Sequence, residues 1–194
     1  MADRLYLSYW IRGYTESNML RHFEKLLRAF PFSTNAPAPL DVRVYAIRFA
    51  EPPYAERMFD EAGSQLDKVM ATCREFSGAD CACSVEGYWD IWRFDDGWKL
   101  ARAPVTLLCF GPLFDNDSGD NLRIELGIEA DFLPQPTIPE SARKVESNIR
   151  GLLRLAHELD DALPIANRSL WSESGENFAD RLTETLASIS QGDR

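Results

Sequence analysis

Apolar and polar residues alternate along several stretches of the chain, and this pattern predicts β-strands with one buried side. Residues 122–132 show it most clearly: Leu122 and Leu126 fall on one side, and Arg123 and Glu125 on the other. We expect the polar side of this strand to be solvated or ion-paired, or to face a polar cleft, because no apolar residue lies on it to raise the pKa of the carboxylates. Alternation or an apolar run predicts strands over residues 5–12, 42–49, 81–94, 98–102, 105–112, 122–132 and, as a short strand, 165–171.

Apolar residues spaced by three and four positions predict four helices. The first can be capped by Thr15 and is stopped by Pro31. Thr137 and Glu140 match a capping box, in which two side chains satisfy backbone N–H groups at the start of a helix. The apolar helix faces run over residues 19–30, 58–76, 145–163 and 178–189, and the second helix opens at Pro52-Pro53.

The order of these elements is β-α-β-α, then four strands, then α-β-α. It predicts an α+β fold, a mixed or antiparallel sheet with helices mainly on one face. The strand–helix–strand patterns at both ends suggest two ferredoxin-like halves sharing one sheet, about residues 1–80 and 104–190. The proline-rich connectors mark no shift in composition, so we expect a single domain over residues 1–194.

Composition and charge narrow the classes of partner. The chain has 194 residues, of which 45% are hydrophobic, and a net charge of −10. Such a surface repels phosphate, so we expect no nucleic-acid partner. The start lacks a leader pattern, and the longest uncharged apolar stretch, residues 103–114, is too short to cross a membrane. We therefore predict a cytoplasmic protein without membrane contact, and its preference for arginine over lysine is typical of a GC-rich bacterial genome.

The cysteines and acidic loops give weak signals for metal. Cys81 and Cys83 share a strand side, but the close second ligand pair of a structural zinc site is missing. We predict four reduced, buried thiols, no metal site and no cofactor. Residues 115–120 are rich in oxygen ligands, yet Asp120 and Leu126 stand where a calcium loop needs Gly and Glu. A polar turn is the favoured interpretation of this loop, and cation binding there stays open.

Aromatic and arginine residues mark two candidate binding regions, because both types are favoured at the centres of protein contacts. One is the hairpin around residues 95–97, and the other would form if the first two strands pair. Core packing of the rings is the competing interpretation. The candidate residues are Tyr88, Asp90, Trp92 and Trp98 on the hairpin, and Trp10, Arg12, Arg43 and Tyr45 on the opening strands.

No phosphate loop, dinucleotide fingerprint, nucleophile elbow or zinc-protease motif occurs in the chain, which disfavours most enzymes with a local signature. The favoured hypothesis is a non-enzymatic binding module, such as a bacterial inhibitor or immunity-type protein whose acidic surface blocks a basic toxin or nuclease.

Two other hypotheses stay open. One is a small-molecule binding protein or enzyme with a pocket between sheet and helices. The other is a homo-oligomer that pairs through residues 122–132 at a sheet edge. The residues expected to line the pocket are Arg12, Arg43, Asp90, Glu125, Trp10 and Trp92.

Overall fold

A computed structural model describes residues 3–34, 39–60, 65–135, 137–174 and 177–192. These residues form an α+β fold of seven strands and four helices. The strands are β1 (Arg4–Ile11), β2 (Leu40–Ala46), β3 (Ala55–Phe59), β4 (Cys81–Phe94), β5 (Trp98–Phe110), β6 (Leu122–Ile128) and β7 (Ile165–Ser172). The helices are α1 (Glu16–Ala29), α2 (Gln65–Phe76), α3 (Ser141–Ala162) and α4 (Phe178–Gly192), and a 3₁₀ turn covers Glu129–Phe132.

The seven strands form one antiparallel sheet in the order β3-β2-β4-β5-β6-β1-β7. This confirms the predicted fold class. The first two strands do not pair, because β4, β5 and β6 lie between them. Alternation shows which side of a strand is buried but not which strand lies beside it. The condition for the second candidate binding region, pairing of β1 with β2, is therefore not met.

The helices pack on one face of the sheet, as predicted, and the hydrophobic core lies between the two layers. Every second residue of each central strand enters this core, and most of these side chains are almost fully buried. No helix in the described part of the chain is long and apolar enough to cross a membrane. Core residues from strands and helices include Leu7, Tyr9, Leu107, Ile124, Phe23, Val69, Ile149 and Phe178.

Each end of the sheet holds a split β-α-β unit. At one end, β3 connects through α2 to β4, and β2 fills the gap between them. At the other end, β6 connects through α3 to β7, and β1 fills the gap. Each unit has three strands, whereas a ferredoxin-like half has four. Because β1 lies among the C-terminal strands, the two units interleave along the chain.

The second helix is shorter than its apolar pattern predicts. The chain from Ala55 to Phe59 forms β3 instead, paired with β2, and the helix starts at Gln65. Pro52-Pro53 favours extended backbone, and β2 offers an edge for residues 55–59 to pair with. Met58, expected on the buried helix face, is 67% exposed. Gly63, expected to weaken the helix, lies outside the described residues.

The predicted capping box before α3 is also wrong. The helix begins at Ser141, and Glu140 adopts the left-handed conformation with φ of 59° without capping it. The Ser141 hydroxyl instead accepts a hydrogen bond from the backbone N–H of Gln135 at 2.8 Å. Because the helix begins only at Ser141, Thr137 lies too far from its start to cap it.

Two strand predictions also need correction. The strand expected over residues 122–132 ends at Ile128, since the next four residues form the 3₁₀ turn. It pairs on both sides, with β5 and β1, so it is not an edge strand available for self-association. The two strands expected over residues 98–102 and 105–112 are one continuous strand, which pairs with β4 over its whole length.

Candidate functional site

The side of the sheet opposite the helices, which we call the open face, carries side chains from all seven strands. At a strand spacing of about 4.8 Å, a row of cross-strand partners across this face spans about 29 Å. One such row holds three carboxylates and no basic residue, and we call it the acidic row. From β3 to β7 it comprises Met58, Asp41, Glu86, Thr106, Glu125, Tyr6 and Trp171.

The neighbouring row, two residues away on each strand, carries two arginines. Arg43 forms ion pairs with Asp41, Glu86 and Glu56, the last at 2.7 Å. Arg123 forms an ion pair with Asp120 at 2.7 Å. Both arginines therefore already have acidic partners within the chain. We call this the arginine row, and it comprises Glu56, Arg43, Ser84, Leu108, Arg123, Ser8 and Ser169.

Asp41 has an acceptor that the fold leaves unused. Its Oδ2 accepts a hydrogen bond from Arg43, whereas its Oδ1 is buried and has no donor among the described residues. Burial raises the pKa of Asp41, and this outweighs the opposing effect of Arg43. A buried acceptor without a donor costs free energy, about 1–3 kcal/mol in typical cases. A donor supplied from outside would remove that cost.

A depression of about 230 Å³ on the open face is lined by Asp41, Glu86 and Tyr88, with Thr106 and Pro104 beside them. It brings together Asp41, which holds the unused acceptor, a second carboxylate and an aromatic ring. Carboxylates accept hydrogen bonds from ammonium and guanidinium groups, and ring faces attract the same cations. The depression therefore has the chemistry to take up a lysine or arginine side chain.

Glu125 lies in the acidic row under conditions that disfavour its charge. Burial raises its pKa above the usual value, and Glu86 and Glu173 raise it further, while Arg123 and Arg4 act against them. The nearest ion pair is loose, 3.9 Å to the guanidinium of Arg4. The expectation that nothing on this side of the strand raises a carboxylate pKa is wrong, because side chains from neighbouring strands bury Glu125.

Aromatic rings close the β7 end of the acidic row. The ring of Tyr6 stacks on Trp171 with centroids 4.3 Å apart. The indole N–H of Trp171 donates to the hydroxyl of Ser8 at 3.0 Å, and the hydroxyl of Tyr6 donates to Glu173 at 3.0 Å. Burial and the bond to Glu173 raise the pKa of Tyr6 to about 12, so this hydroxyl remains a donor at neutral pH.

The candidate residues of the hairpin mostly contact their own chain. The indole N–H of Trp98 donates to the carbonyl oxygen of Pro139 at 2.6 Å. The ammonium of Lys144 lies 3.4 Å from the centroid of Trp92, and the guanidinium of Arg102 lies 5.3 Å from that of Tyr88. Tyr88 is the one member of this set that lines the depression.

The second candidate set is spread across the sheet. Arg43 and Tyr45 lie on the open face in β2, and Trp10 lies on the same face in β1, four strands away. Tyr45 packs edge-on against Phe49 at 4.9 Å. Arg12 is exposed in the turn after β1. The structure thus places Arg43 next to the acidic row, where it pairs with Asp41 and Glu86, and leaves Trp10 and Arg12 away from it.

Sequence reasoning missed Asp41 and Glu86. A signal for both was available, because Asp41 lies two residues from Arg43, and Glu86 two residues from Tyr88. Period-two spacing places each carboxylate on the same side of its strand as a candidate residue.

A second concavity lies at the other layer of the fold, where β4 meets α3 and the segment after α1. This cleft has a volume of about 430 Å³. Of the residues expected to line a pocket between sheet and helices, Asp90 and Trp92 do so, whereas Arg12, Arg43, Glu125 and Trp10 lie elsewhere.

The thiols are poorly suited to nucleophilic chemistry. All four cysteines are free and buried. Burial raises the pKa of Cys109 to about 12 and raises that of Cys81, and a hydrogen bond between Cys83 and Cys73 together with burial raises that of Cys83. Since the thiolate is the reactive form, these groups are weak nucleophiles near neutral pH.

The described residues contain no group of three or more His, Cys, Asp or Glu side chains placed to hold a metal ion. In the acidic loop considered for calcium, both oxygens of Asp120 accept hydrogen bonds from Arg123, and Asn116 also donates to this carboxylate. The carboxylate of Asp120 is therefore occupied by protein donors.

Comparisons of the chain with family models, curated proteins and solved structures gave no match.

Proposed function

We propose that the protein is a binding module whose open face takes up a basic protein partner, with a lysine or arginine of that partner entering the depression beside Asp41. The observation that carries this proposal is the unused Oδ1 of Asp41, a buried acceptor on a residue that lines the depression together with Glu86. An incoming ammonium or guanidinium would supply the missing donor and a compensating charge.

The energetics of Glu125 support the same conclusion. The charge of Glu125 is opposed by burial and by two other carboxylates, so it costs stability in the isolated chain. Residues that cost stability are commonly retained for function. A basic partner would stabilise this carboxylate, and the net charge of −10 would speed the encounter with such a partner.

An inhibitor or immunity-type role fits this chemistry, because blocking a basic toxin or nuclease needs a complementary acidic face and no catalytic group. We place this function in a bacterial cytoplasm, in keeping with four free, buried cysteines. A second copy of the chain is a poor occupant of the open face, since two acidic rows repel each other.

Capture of the partner from a lysate of the source organism at low salt tests the proposal. The informative variant is Asp41→Asn/Glu86→Gln, which removes two charges from the depression. The matched control is Glu75→Gln/Asp161→Asn, which removes two charges from exposed positions on α2 and α3. Both variants have the same net charge, so they separate a local contact from general attraction.

We expect the depression variant to lose at least about tenfold in affinity for the captured protein, because truncating a charge-assisted contact costs about 1.5–3 kcal/mol. The control should bind like the wild type, and raised salt should weaken binding by both. Equal binding by the two variants, or capture of acidic proteins only, would contradict the proposal.

A further inference from the structure

The cleft between β4 and α3 has the size and lining of a small-molecule site. Its volume of about 430 Å³ falls in the range of roughly 300–1,000 Å³ typical of ligand pockets. Aromatic and aliphatic side chains form its walls, among them Phe32, Trp92 and Leu100. The charged residues that line the cleft come from two elements, Asp90 on β4 and Arg154 and Glu158 on α3.

Trp89 supplies an unused donor at this cleft. The residue lines the cleft and is only 3% exposed, yet its indole N–H has no acceptor among the described residues. Its ring is held by stacking on Phe132 with centroids 5.9 Å apart. A buried N–H without a partner costs free energy, and a ligand oxygen that reached this donor would remove that cost.

Gly151 provides an independent sign that the cleft is kept open. It lies within α3, where glycine destabilises a helix by about 0.5–1 kcal/mol relative to alanine. A Cβ built at this position meets no atom within 4 Å, so close packing does not demand the glycine. Gly151 does line the cleft, where any side chain would reduce the space.

Charges of both signs are present at the cleft. The carboxylate of Asp90 accepts a hydrogen bond from the hydroxyl of Ser33 at 2.8 Å. Arg154 and Glu158 are exposed on α3 at its rim. The ammonium of Lys144 covers one side of the Trp92 ring. A ligand with one charge only would meet a like charge here, whereas a zwitterion would find a partner for each end.

We infer that the cleft binds a free α-amino acid with an aromatic or large aliphatic side chain. The carboxylate would pair with Arg154 and accept from the N–H of Trp89, and the ammonium would face Asp90 and Glu158. The side chain would lie against Phe32 and Leu100. Binding at this cleft is independent of the open face, so the two proposals succeed or fail separately.

The test is calorimetric titration and thermal unfolding of the full chain with L-tryptophan, L-phenylalanine and L-leucine. Two matched analogues each lack one charged group, tryptamine without the carboxylate and indole-3-propionate without the ammonium. At 100-fold excess over its Kd, a bound amino acid should raise the unfolding midpoint by about 5–10 °C. Each analogue should bind at least about tenfold more weakly than tryptophan.

Variants locate the site. Gly151→Leu should abolish binding by filling the cleft, and Arg154→Gln should weaken it at least about tenfold. Arg150→Gln is the matched control, since Arg150 is on the same helix, pairs with Glu146 and does not line the cleft. Folding of each variant is checked by its circular dichroism spectrum and unfolding curve.

No response to any of the three amino acids would overturn the inference. It would also be overturned if Gly151→Leu and Arg154→Gln, both folded, bound them as well as the wild type. Equal binding of tryptophan and either analogue would overturn the zwitterion as the ligand class.

Discussion

The same strands form both faces of the sheet, but the two faces carry different kinds of side chain. On the helix-covered face, side chains such as Leu107 and Ile124 are fully buried in an apolar core. On the open face, their immediate neighbours Thr106 and Glu125 belong to a row of polar groups. Neighbouring residues of one strand thus serve folding on one side and carry the candidate site on the other.

The two faces differ in whether the rest of the chain stabilises the groups that they bury. The covered face buries apolar surface, which stabilises the fold by about 25 cal/mol per Å². The open face keeps an acceptor on Asp41 that has no donor among the described residues, and a charge on Glu125 that burial opposes. A face that carries these unfavourable free energies in the unbound chain has the properties of a binding surface.

The largest expected effect comes from truncation on the covered face. Leu107→Ala should lower the free energy of unfolding by about 3–4 kcal/mol, because it leaves a cavity in a fully buried position. The neighbouring change Thr106→Ala, on the open face, should cost about 1 kcal/mol or less. Urea unfolding of both variants measures the difference, and similar losses would show that the two faces contribute alike.

A variant that breaks the ion pair of Asp120 with Arg123 tests whether this part of the open face stabilises the fold. The side chain of Asp120 is fully buried and that of Arg123 is 12% exposed. Asp120→Asn should cost about 3 kcal/mol, since it leaves the guanidinium without its buried counter-charge. Glu146→Gln, which removes an exposed helical pair, should change stability by no more than about 0.5 kcal/mol. If Asp120→Asn lost no more stability than Glu146→Gln, water would be replacing the ion pair without cost.

Glu125→Gln should stabilise the protein at pH 7. The pKa of Glu125 is raised in the folded state, so its favourable contribution exists below the unfolded pKa and is lost as pH rises through the folded pKa. The glutamine variant escapes that loss. Its advantage should therefore be greatest at neutral pH and vanish below about pH 4, where the carboxyl is protonated in both states.

Urea unfolding at several pH values measures this advantage. A variant that is less stable than the wild type at pH 7 would show that Arg4 and Arg123 stabilise the carboxylate more than burial opposes it.

The sequence predicted much of the fold because the strongest signals are local. The alternation in β1 and β6 and the apolar stripe of α3 correspond to elements in the structure. The failures arose where a local pattern was ambiguous or a partner was distant. Residues 55–59 became a strand only because β2 offered an edge, and the sheet order depends on pairings between residues far apart in sequence.

The candidate site was harder to predict because its character depends on several strands together. Glu125 is half-buried by side chains from other strands, among them Tyr6 of β1, and no residue near it in sequence signals this. Arg43 and Tyr88 were selected as candidates, but the acidic groups beside them were not. Large rings and arginines drew attention in the sequence, whereas the unused acceptor of Asp41 is visible only in three dimensions.

The most direct test of the central claim is photo-crosslinking from the open face in living cells. A benzophenone amino acid replaces Thr106 in the middle of the acidic row, and in a second protein it replaces Arg150, which is exposed on α3. We predict that the Thr106 probe crosslinks to a basic protein and that the Arg150 probe does not crosslink to the same protein. Crosslinking of that partner from Arg150 alone would contradict binding through the open face.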